Sequence, residues 1–367
     1  MPNLHLSDIP ASSRTAGLAP QPEVRLQIRR YQDGDQPQWD AYALRHPHAS
    51  PFHLIAWKRT LEESFGYQAM YLMASGESGV TGVLPLFLVR NPVVGRALIS
   101  TPFAVYGGIL ADSAEVRLAL YDAACQLGRE LSVDYIELRN AWPEQVTGEA
   151  NVDRYVTFTQ ELVPEENALL QSLPKKTRNM VRKSLKEPFT MRCGITDPAN
   201  LDRIHSRNMK RLGSPCFPRK YFARVLANFG PMVDIREVWL GREVMAVSMN
   251  FYFAGQMHTY HASADPRFNH LGPNTFMYFD HLRWAGANGY HMFDFGRSKK
   301  NTGTFEFKRH WNTTMRELPY EMILVKRKEL PNFSPANPRF EAAIAIWKRL
   351  PLAVTRVLGP YLIRLFP

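Results

Sequence analysis

Residues 256–311 hold the groups best suited to chemistry: a Leu271-Gly272-Pro273-Asn274 turn, an Asp294-Phe295-Gly296 triplet, and the pair Phe307-Lys308. Proline suits the first helical position, because its missing N–H has no intrahelical partner there. A glycine before it lets a ligand approach the backbone closely. The free N–H groups and the positive end of the helix dipole then favour a phosphate, with Gly272 and Asn274 as the cradle and Arg267 as a charged clamp. An ordinary capped helix start accounts for the same residues. Asp294 falls at the carboxyl end of a strand, where it orients a substrate amine, accepts its proton, or only ends the strand.

Lys308 carries the sharpest hypothesis. Attack of an amine on an ester or thioester builds negative charge on the carbonyl oxygen, and a compact ammonium on a flexible stem suits that oxygen. Phe307 and Trp311 would exclude water around it. The bland reading is a solvent-facing lysine in a basic turn with Lys299, Lys300 and Arg309. Tyr260, on the strand over 256–263, and Arg297, just past the strand over 291–295, join the substrate- and donor-binding candidates.

Other chemistries find little support. There is no Gly-x-x-x-x-Gly-Lys-Ser/Thr phosphate loop, and the Asp-Phe-Gly triplet lacks the glycine-rich and His-Arg-Asp loops of a kinase. His258 and His261 stand three apart on a strand and so face opposite sides, with His258 on the side of Tyr260. They read as structural or substrate-contact residues. Cys125, Cys193 and Cys216 share no short spacing, so free thiols and no metal site are expected.

The elements that position these groups come from periodicity. Strands are expected over 24–31, 67–74, 80–90, 104–110 and 133–138, with helices over 35–45, 51–65 and 114–130. The order then restarts: strands over 155–162 and 189–193, a helix over 165–186 in two parts around Pro174, and helices over 199–212 and 219–229. Strands over 233–240, 243–253 and 256–263 follow, then a helix over 273–288 and a strand over 291–295. A glycine-punctuated loop carries Lys308, and a last strand spans 317–326. The expected architecture is two similar α/β domains in tandem, joined near residues 140–155.

A chain of 367 residues exceeds the size at which one core stays efficient, and 45% hydrophobic residues fit an ordinary globular class. The net charge of +11 favours anionic partners such as a phosphate-bearing cofactor, tRNA, an acidic glycan or a membrane face. Residues 175–186 concentrate six positive charges without an acid, and Arg178 and Arg182 share one helical face. Such a face suits a sugar-phosphate backbone or a diphosphate-linked glycan. It is equally a solvated helix surface. Residues 1–22 lack the apolar core of a secretory signal and read as a loose, disordered tail. After Leu330 the chain turns basic and amphipathic, suited to lying on a membrane surface or docking on protein.

The run HLGPNTFMYFDHLRWAGANGYHMFDFGRS followed by GTFEFKRHW resembles the FemAB-like branch of the GNAT acyltransferase superfamily, and more narrowly its exosortase (PEP-CTERM) and exopolysaccharide-associated members. SPFHLIAW at 50–57, TPFAVYGG at 101–108 and LPKKTRNMVRKSLKE at 173–187 add to the resemblance, which covers roughly residues 24–326. It implies an α/β (α+β) fold of two tandem GNAT-like domains with a shared cleft: 23–150 and 151–330, followed by a short helical tail over 331–367. It also implies transfer of an acyl group to an amine. Related proteins use aminoacyl-tRNA and a peptidoglycan precursor, or acyl-CoA, and the lysine of their Phe-Lys motif, here Phe307-Lys308, serves the reaction centre. The sequence lacks the long coiled-coil insertion of some tRNA-using relatives. No permanently bound cofactor is implied. The partners implied are an acyl-CoA or aminoacyl-tRNA donor and an amine-bearing glycan or envelope precursor. Such a protein is expected in the cytoplasm, with peripheral membrane contact through 331–367. The alternative is a catalytically silent GNAT-like subunit that binds a nascent glycan or an envelope complex.

Overall fold

The computed structural model describes residues 26–151, 155–329 and 338–367. The tail expected over 1–22 lies outside the described residues.

Periodicity alone placed several elements well. Ala114–Glu130 is one helix, opened by Ser113, whose side chain accepts from Val116 N. It buries Val116, Leu120, Ala124 and Leu127 along one stripe. Arg219–Phe229 buries Tyr221, Phe222, Val225 and Phe229 at helical spacing. Lys175–Ser184 buries only Thr177, Val181 and Ser184 and turns its basic face outward.

Prolines and partner choice broke other expectations. The strand expected over 80–90 stops at Leu84, before Pro85, and resumes as Phe87–Asn91 in a different sheet. The stretch read as a strand over 104–110 is an irregular loop as far as Ile109, with only Leu110 in a strand, and the longer strand is instead Gly95–Ile99, which pairs in parallel with Tyr135–Leu138. In that loop Thr101 Oγ1 donates to Tyr106 O at 2.9 Å, and Gly107 N donates to Arg139 O at 2.9 Å. Phe103 takes a φ of 66°. The loop's glycines are required by contact. A Cβ on Gly108 would lie 2.2 Å from Asn140 Oδ1 and 2.8 Å from Asn140 Cα. The variant Gly108→Ala is therefore expected to lose about 1–3 kcal/mol, read as a lower urea midpoint at unchanged slope. An unchanged midpoint would show that this loop can yield.

The described strands form three sheets. One of four strands runs in the order Gln27–Arg30, Leu72–Gly76, Gly79–Leu84, Leu110–Ala111. One of seven runs Phe189–Ile195, Val233–Leu240, Glu243–Phe253, Gln256–Ala264, Met292–Lys299, Tyr155–Glu161, Thr314–Glu317. The third holds Gln68–Ala69, Phe87–Asn91, Gly95–Ile99, Tyr135–Leu138, Tyr320–Leu324 and Ala150–Asn151. The strand expected over 317–326 is thus two strands, separated at Leu318-Pro319. Thr314–Glu317 stays in the seven-stranded sheet. Tyr320–Leu324 crosses to pair antiparallel with Tyr135–Leu138 of the first half.

The halves also share side-chain packing. Phe52 and Trp57 of the first half meet Phe251, Phe229 and Tyr260 of the second within one buried cluster. Buried apolar surface of this kind stabilises at roughly 25 cal/mol per Å². It leaves little freedom for the halves to separate. Among the described residues no helix is long and apolar enough to cross a membrane.

Candidate functional site

Gln256–Ala264 and Met292–Lys299 pair in parallel only from Gln256 opposite Met292 to His258 opposite Asp294. Both strands then continue without pairing to each other, so the sheet opens into a V. Each arm carries a bulge near the opening. On one, Tyr260 is the extra residue between the pairs Asn250–Thr259 and Met249–His261. On the other, Phe295 is extra between Thr159–Asp294 and Phe158–Gly296, and Gly296 has a φ of 74°. Bulges re-aim side chains and end pairing, and they concentrate beside active sites. The strand expected to end at Phe295 therefore runs on to Lys299.

A cavity of about 290 Å³ fills the V. Thr259, Tyr260 and His261 line it from one arm, Gly296 and Arg297 from the other, and Lys308 from beside them. The segment carrying Lys308 is a helix, Gly303–Arg309, capped by Thr302. It is not the loop expected from its glycines. Lys308 is only 7% exposed, and its Nζ donates to Gly296 O at 2.9 Å and to Arg297 O at 3.1 Å. Burial drives its pKa down to about 7. Asp294 resists that shift, and the positive charge of Arg297 adds to it. An ammonium has three N–H groups, so two carbonyls leave one for the cavity.

Asp294 sits behind this wall, 3% exposed, with both oxygens engaged. Oδ1 accepts from Gly296 N at 2.6 Å and from Thr157 Oγ1 at 3.3 Å. Oδ2 accepts from Tyr106 Oη at 2.7 Å and lies 3.2 Å from His258 Nδ1. Burial alone would raise its pKa, but His258, Tyr106 and the Gly296 N–H outweigh burial and hold it below the usual carboxylate value. A carboxylate this well satisfied is a poor proton acceptor. Its hydrogen bonds tie the first half, through Tyr106, to the arm that carries Gly296.

Tyr260 and Arg297 reach the same cavity as Lys308. Tyr260 Oη donates to Phe103 O of the first half. The Arg297 guanidinium lies 4.5 Å from the Tyr155 ring centroid and donates to Tyr320 Oη at 3.1 Å. Phe307 does not face the cavity. It packs on Tyr278 and Trp311 and supports the Lys308 helix from the core side.

The remaining candidates gather elsewhere. Gly272, with a φ of 77°, opens Pro273–Ala287 as expected, but neither it nor Asn274 lines the cavity. Arg267 folds back on Asp265 at 2.9 Å, with Glu243 at 3.9 Å, and so is already paired where a free clamp was expected. The basic helix lies beside this turn, with Lys183 Nζ donating to His270 O at 3.4 Å. Arg182 stays exposed on its outer face, while half-buried Arg178 donates to Gln171 O at 3.3 Å.

The sequence over residues 172–309 matches the family model of an acetyltransferase (GNAT) domain. That stretch is less than half of the chain. It contains the basic helix, the Gly-Pro turn, Asp294 and Lys308. No curated protein matches the chain. Among solved structures, the crystal structure of FemX is similar over 82% of this chain and 98% of its own, with a TM-score of 0.67 and 14% identity. The C-terminal domain of a protein assigned as a lysylphosphatidylglycerol synthetase from Agrobacterium fabrum is similar over 86% and 95%, at TM-score 0.53 and 10% identity. A tandem GNAT protein from the clavulanic acid biosynthesis pathway is similar over 83% and 100%, at TM-score 0.50 and 10% identity. The chain shares the fold of FemX and of this tandem GNAT protein.

Sequence reasoning missed Tyr106 and Thr157. Tyr106 lies within TPFAVYGG, so a signal for it was present. Thr157 acquires meaning only when distant strands meet. His258, set aside as a metal ligand, is the Asp294 partner instead. His261 reaches the cavity with Tyr260, because the bulge at Tyr260 breaks the alternation on which their separation was argued. Burial, aided by neighbouring His205, holds the His261 pKa well below its usual value.

Proposed function

We propose that the protein is an acyltransferase that moves an acyl or aminoacyl group from an anionic donor, acyl-CoA or aminoacyl-tRNA, to an amine on a glycan or envelope precursor. One observation carries this reading: Lys308 Nζ is buried at the mouth of the V, with two of its N–H groups held by Gly296 O and Arg297 O. The third N–H is then available to the carbonyl oxygen of a bound donor. As the amine nitrogen attacks the carbonyl carbon, a C–N bond forms and the oxygen becomes an oxyanion beside that N–H. When the tetrahedral intermediate collapses, the C–S or C–O bond breaks and Lys308 protonates the leaving atom. Neutral Lys308 then takes the surplus proton of the new amide nitrogen. A pKa of about 7 suits a group that must give and regain one proton near neutrality.

The phosphate-bearing part of the donor is assigned to the Gly272 turn, Asn274 and the basic helix beside them. Exposed Arg182 and half-buried Arg178, which bonds only to neighbouring Gln171, are the groups that would meet the anion. Reversing both to Glu is expected to raise the donor KM about tenfold and flatten its salt dependence, while the melting temperature stays unchanged. An unchanged KM would remove the basic helix from the site. The FemX-like fold and the exosortase-type sequence resemblance support a setting in exopolysaccharide or cell-envelope assembly. Exposed Ile346, Val357, Leu358 and Tyr361 on the tail helices support peripheral contact with the inner face of the plasma membrane. The test of the activity is turnover of acyl-CoA and aminoacyl-tRNA with amine-bearing glycans. The reading requires product in the native chain and its loss in Lys308→Met.

A further inference from the structure

The Lys308 cavity has more room than an acetyl group requires, and one of its walls is built from rings. A volume of about 290 Å³ holds roughly ten non-hydrogen atoms, at the ~30 Å³ that each water occupies in the liquid. Lys308 and Arg297 mark the polar side, next to Gly296. Phe103, Val105 and Phe217 line the cavity together with Tyr260 and His261 of the other arm. The Phe217 ring lies edge-on to Phe103 and to His261, 5.2 Å from each, and stacks on Tyr221 at 4.6 Å. Phe103 stacks in turn on Tyr67. Rings held in this way are ordered before any ligand arrives, so little freedom is lost on binding. The tail adds apolar lining. Its helix Leu352–Leu362 docks through Arg356, paired with Asp202 at 2.6 Å, and Ile363 and Phe366 beyond it reach the cavity.

The polar atoms of the ring wall turn toward protein. Thr259 Oγ1 donates to Asn250 Oδ1 at 2.9 Å, Tyr260 Oη donates to Phe103 O, and His261 Nε2 lies 3.4 Å from Tyr221 Oη. His205 packs behind, against Phe217 and His261. Burial pushes the His205 pKa down to about 4 and holds that of His261 well below its usual value, so both rings are uncharged near neutrality. This wall therefore offers a ligand mainly ring surface and methyl groups, which favour an apolar chain and penalise a charged one.

We propose that the group transferred at Lys308 is an apolar acyl chain longer than acetyl, and that Phe103, Val105 and Phe217 select it. That the occupant is the transferred group rests on the acyltransferase reading; the pocket does not. With the donor carbonyl at the third Lys308 N–H, the carbon chain lies on the ring wall, away from Arg297. An aliphatic chain of about four to eight carbons, or a phenyl-bearing acyl group, fits the volume left once the carbonyl and the attacking nitrogen are in place. Each methylene buried there should tighten binding about fourfold.

Equilibrium binding of amides that copy the transfer product tests this without turnover. N-methylacetamide, N-methylhexanamide and N-methylphenylacetamide are each titrated calorimetrically into the native chain and into Val105→Phe, whose larger side chain takes up part of the cavity. The two larger amides are expected to bind the native chain at least about tenfold more tightly than N-methylacetamide, and to lose that advantage in Val105→Phe. No binding of the larger amides, equal affinity for all three, or a preference that Val105→Phe leaves intact overturns the proposal. Should Val105→Phe fail to fold, Phe217→Leu, which widens the pocket, must move the preference from N-methylhexanamide to N-methyloctanamide; an unmoved preference overturns the proposal equally. A chain that binds the larger amides yet transfers no acyl group keeps the pocket and loses the acyltransferase reading. One that transfers acyl groups but shows no preference among the amides loses the pocket alone.

Discussion

Lys308→Met is expected to lower kcat/KM by about a hundred- to a thousandfold, the usual effect of removing one preorganised donor from a developing oxyanion. The unbranched methionine fills similar volume, so the V keeps its shape while the N–H groups go. The pH dependence makes the test specific. Protonated Lys308 is the working form, so with a fixed acceptor kcat/KM should fall as pH rises through about 7. Lys308→Arg, charged at every accessible pH, should lack that descending limb. Stability should move the other way. The folded pKa of about 7 lies below the ordinary lysine value of 10.5, so the unfolded chain binds the extra proton between them. The stability contributed by this group is present above 10.5 and lost as pH falls through 7. The melting temperature of the native chain, measured against Lys308→Met, should therefore climb between pH 7 and 10. A flat difference, or full activity in the methionine variant, would remove Lys308 from the chemistry.

Asp294→Asn should cost more stability than any other single change at the site, about 3–5 kcal/mol. An asparagine turns one of the two oxygens into a donor. It then faces either Gly296 N–H and Thr157 or Tyr106 and His258, all of which now donate to or pair with the carboxylate. Burial leaves those groups no water to turn to. Tyr106 belongs to the first half, so the loss should appear as weakened coupling between halves as well as a lower urea midpoint. The sign with pH follows from the depressed pKa: the stabilisation is present above the ordinary value of 3.8 and lost as pH falls below it toward the folded pKa. Native and variant stabilities should thus converge in acid. A proton-accepting role for Asp294 predicts the opposite pattern, with turnover abolished and the midpoint nearly unchanged.

The parts of this molecule legible in its sequence are those governed by neighbours along the chain. The helices Ala199–Leu212 and Arg219–Phe229 and the strands Val233–Leu240 and Glu243–Phe253 have the expected limits, because buried periodicity and flanking glycine or proline set them locally. The Gly-Pro helix start and the outward basic face of Lys175–Ser184 are local in the same sense. Lys308, Tyr260 and Arg297 were singled out by residue type and by the strand-helix-strand order around them, and they share one cavity.

Position across the fold was not legible. Whether Phe87–Asn91 continues the sheet of Gly79–Leu84, and whether Tyr320–Leu324 stays with its own half, depends on which distant strand offers hydrogen bonds. That choice leaves no mark on periodicity. Arg267 is suited to an anion by type alone, yet Asp265 two residues away satisfies it first. The tail read equally well as a membrane surface element or as a docked segment, since an amphipathic helix buries its apolar stripe against whatever is nearest. Sequence alone therefore determined a basic α/β chain with a cation, an acid and a phosphate-type helix start close together. Tertiary structure decided that the cation is buried with a lowered pKa, that the acid is a tether between halves, and that the tail enters the cleft. The reason is common to all three: desolvation and pairing depend on which atoms surround a group, and most of those atoms lie far away along the chain.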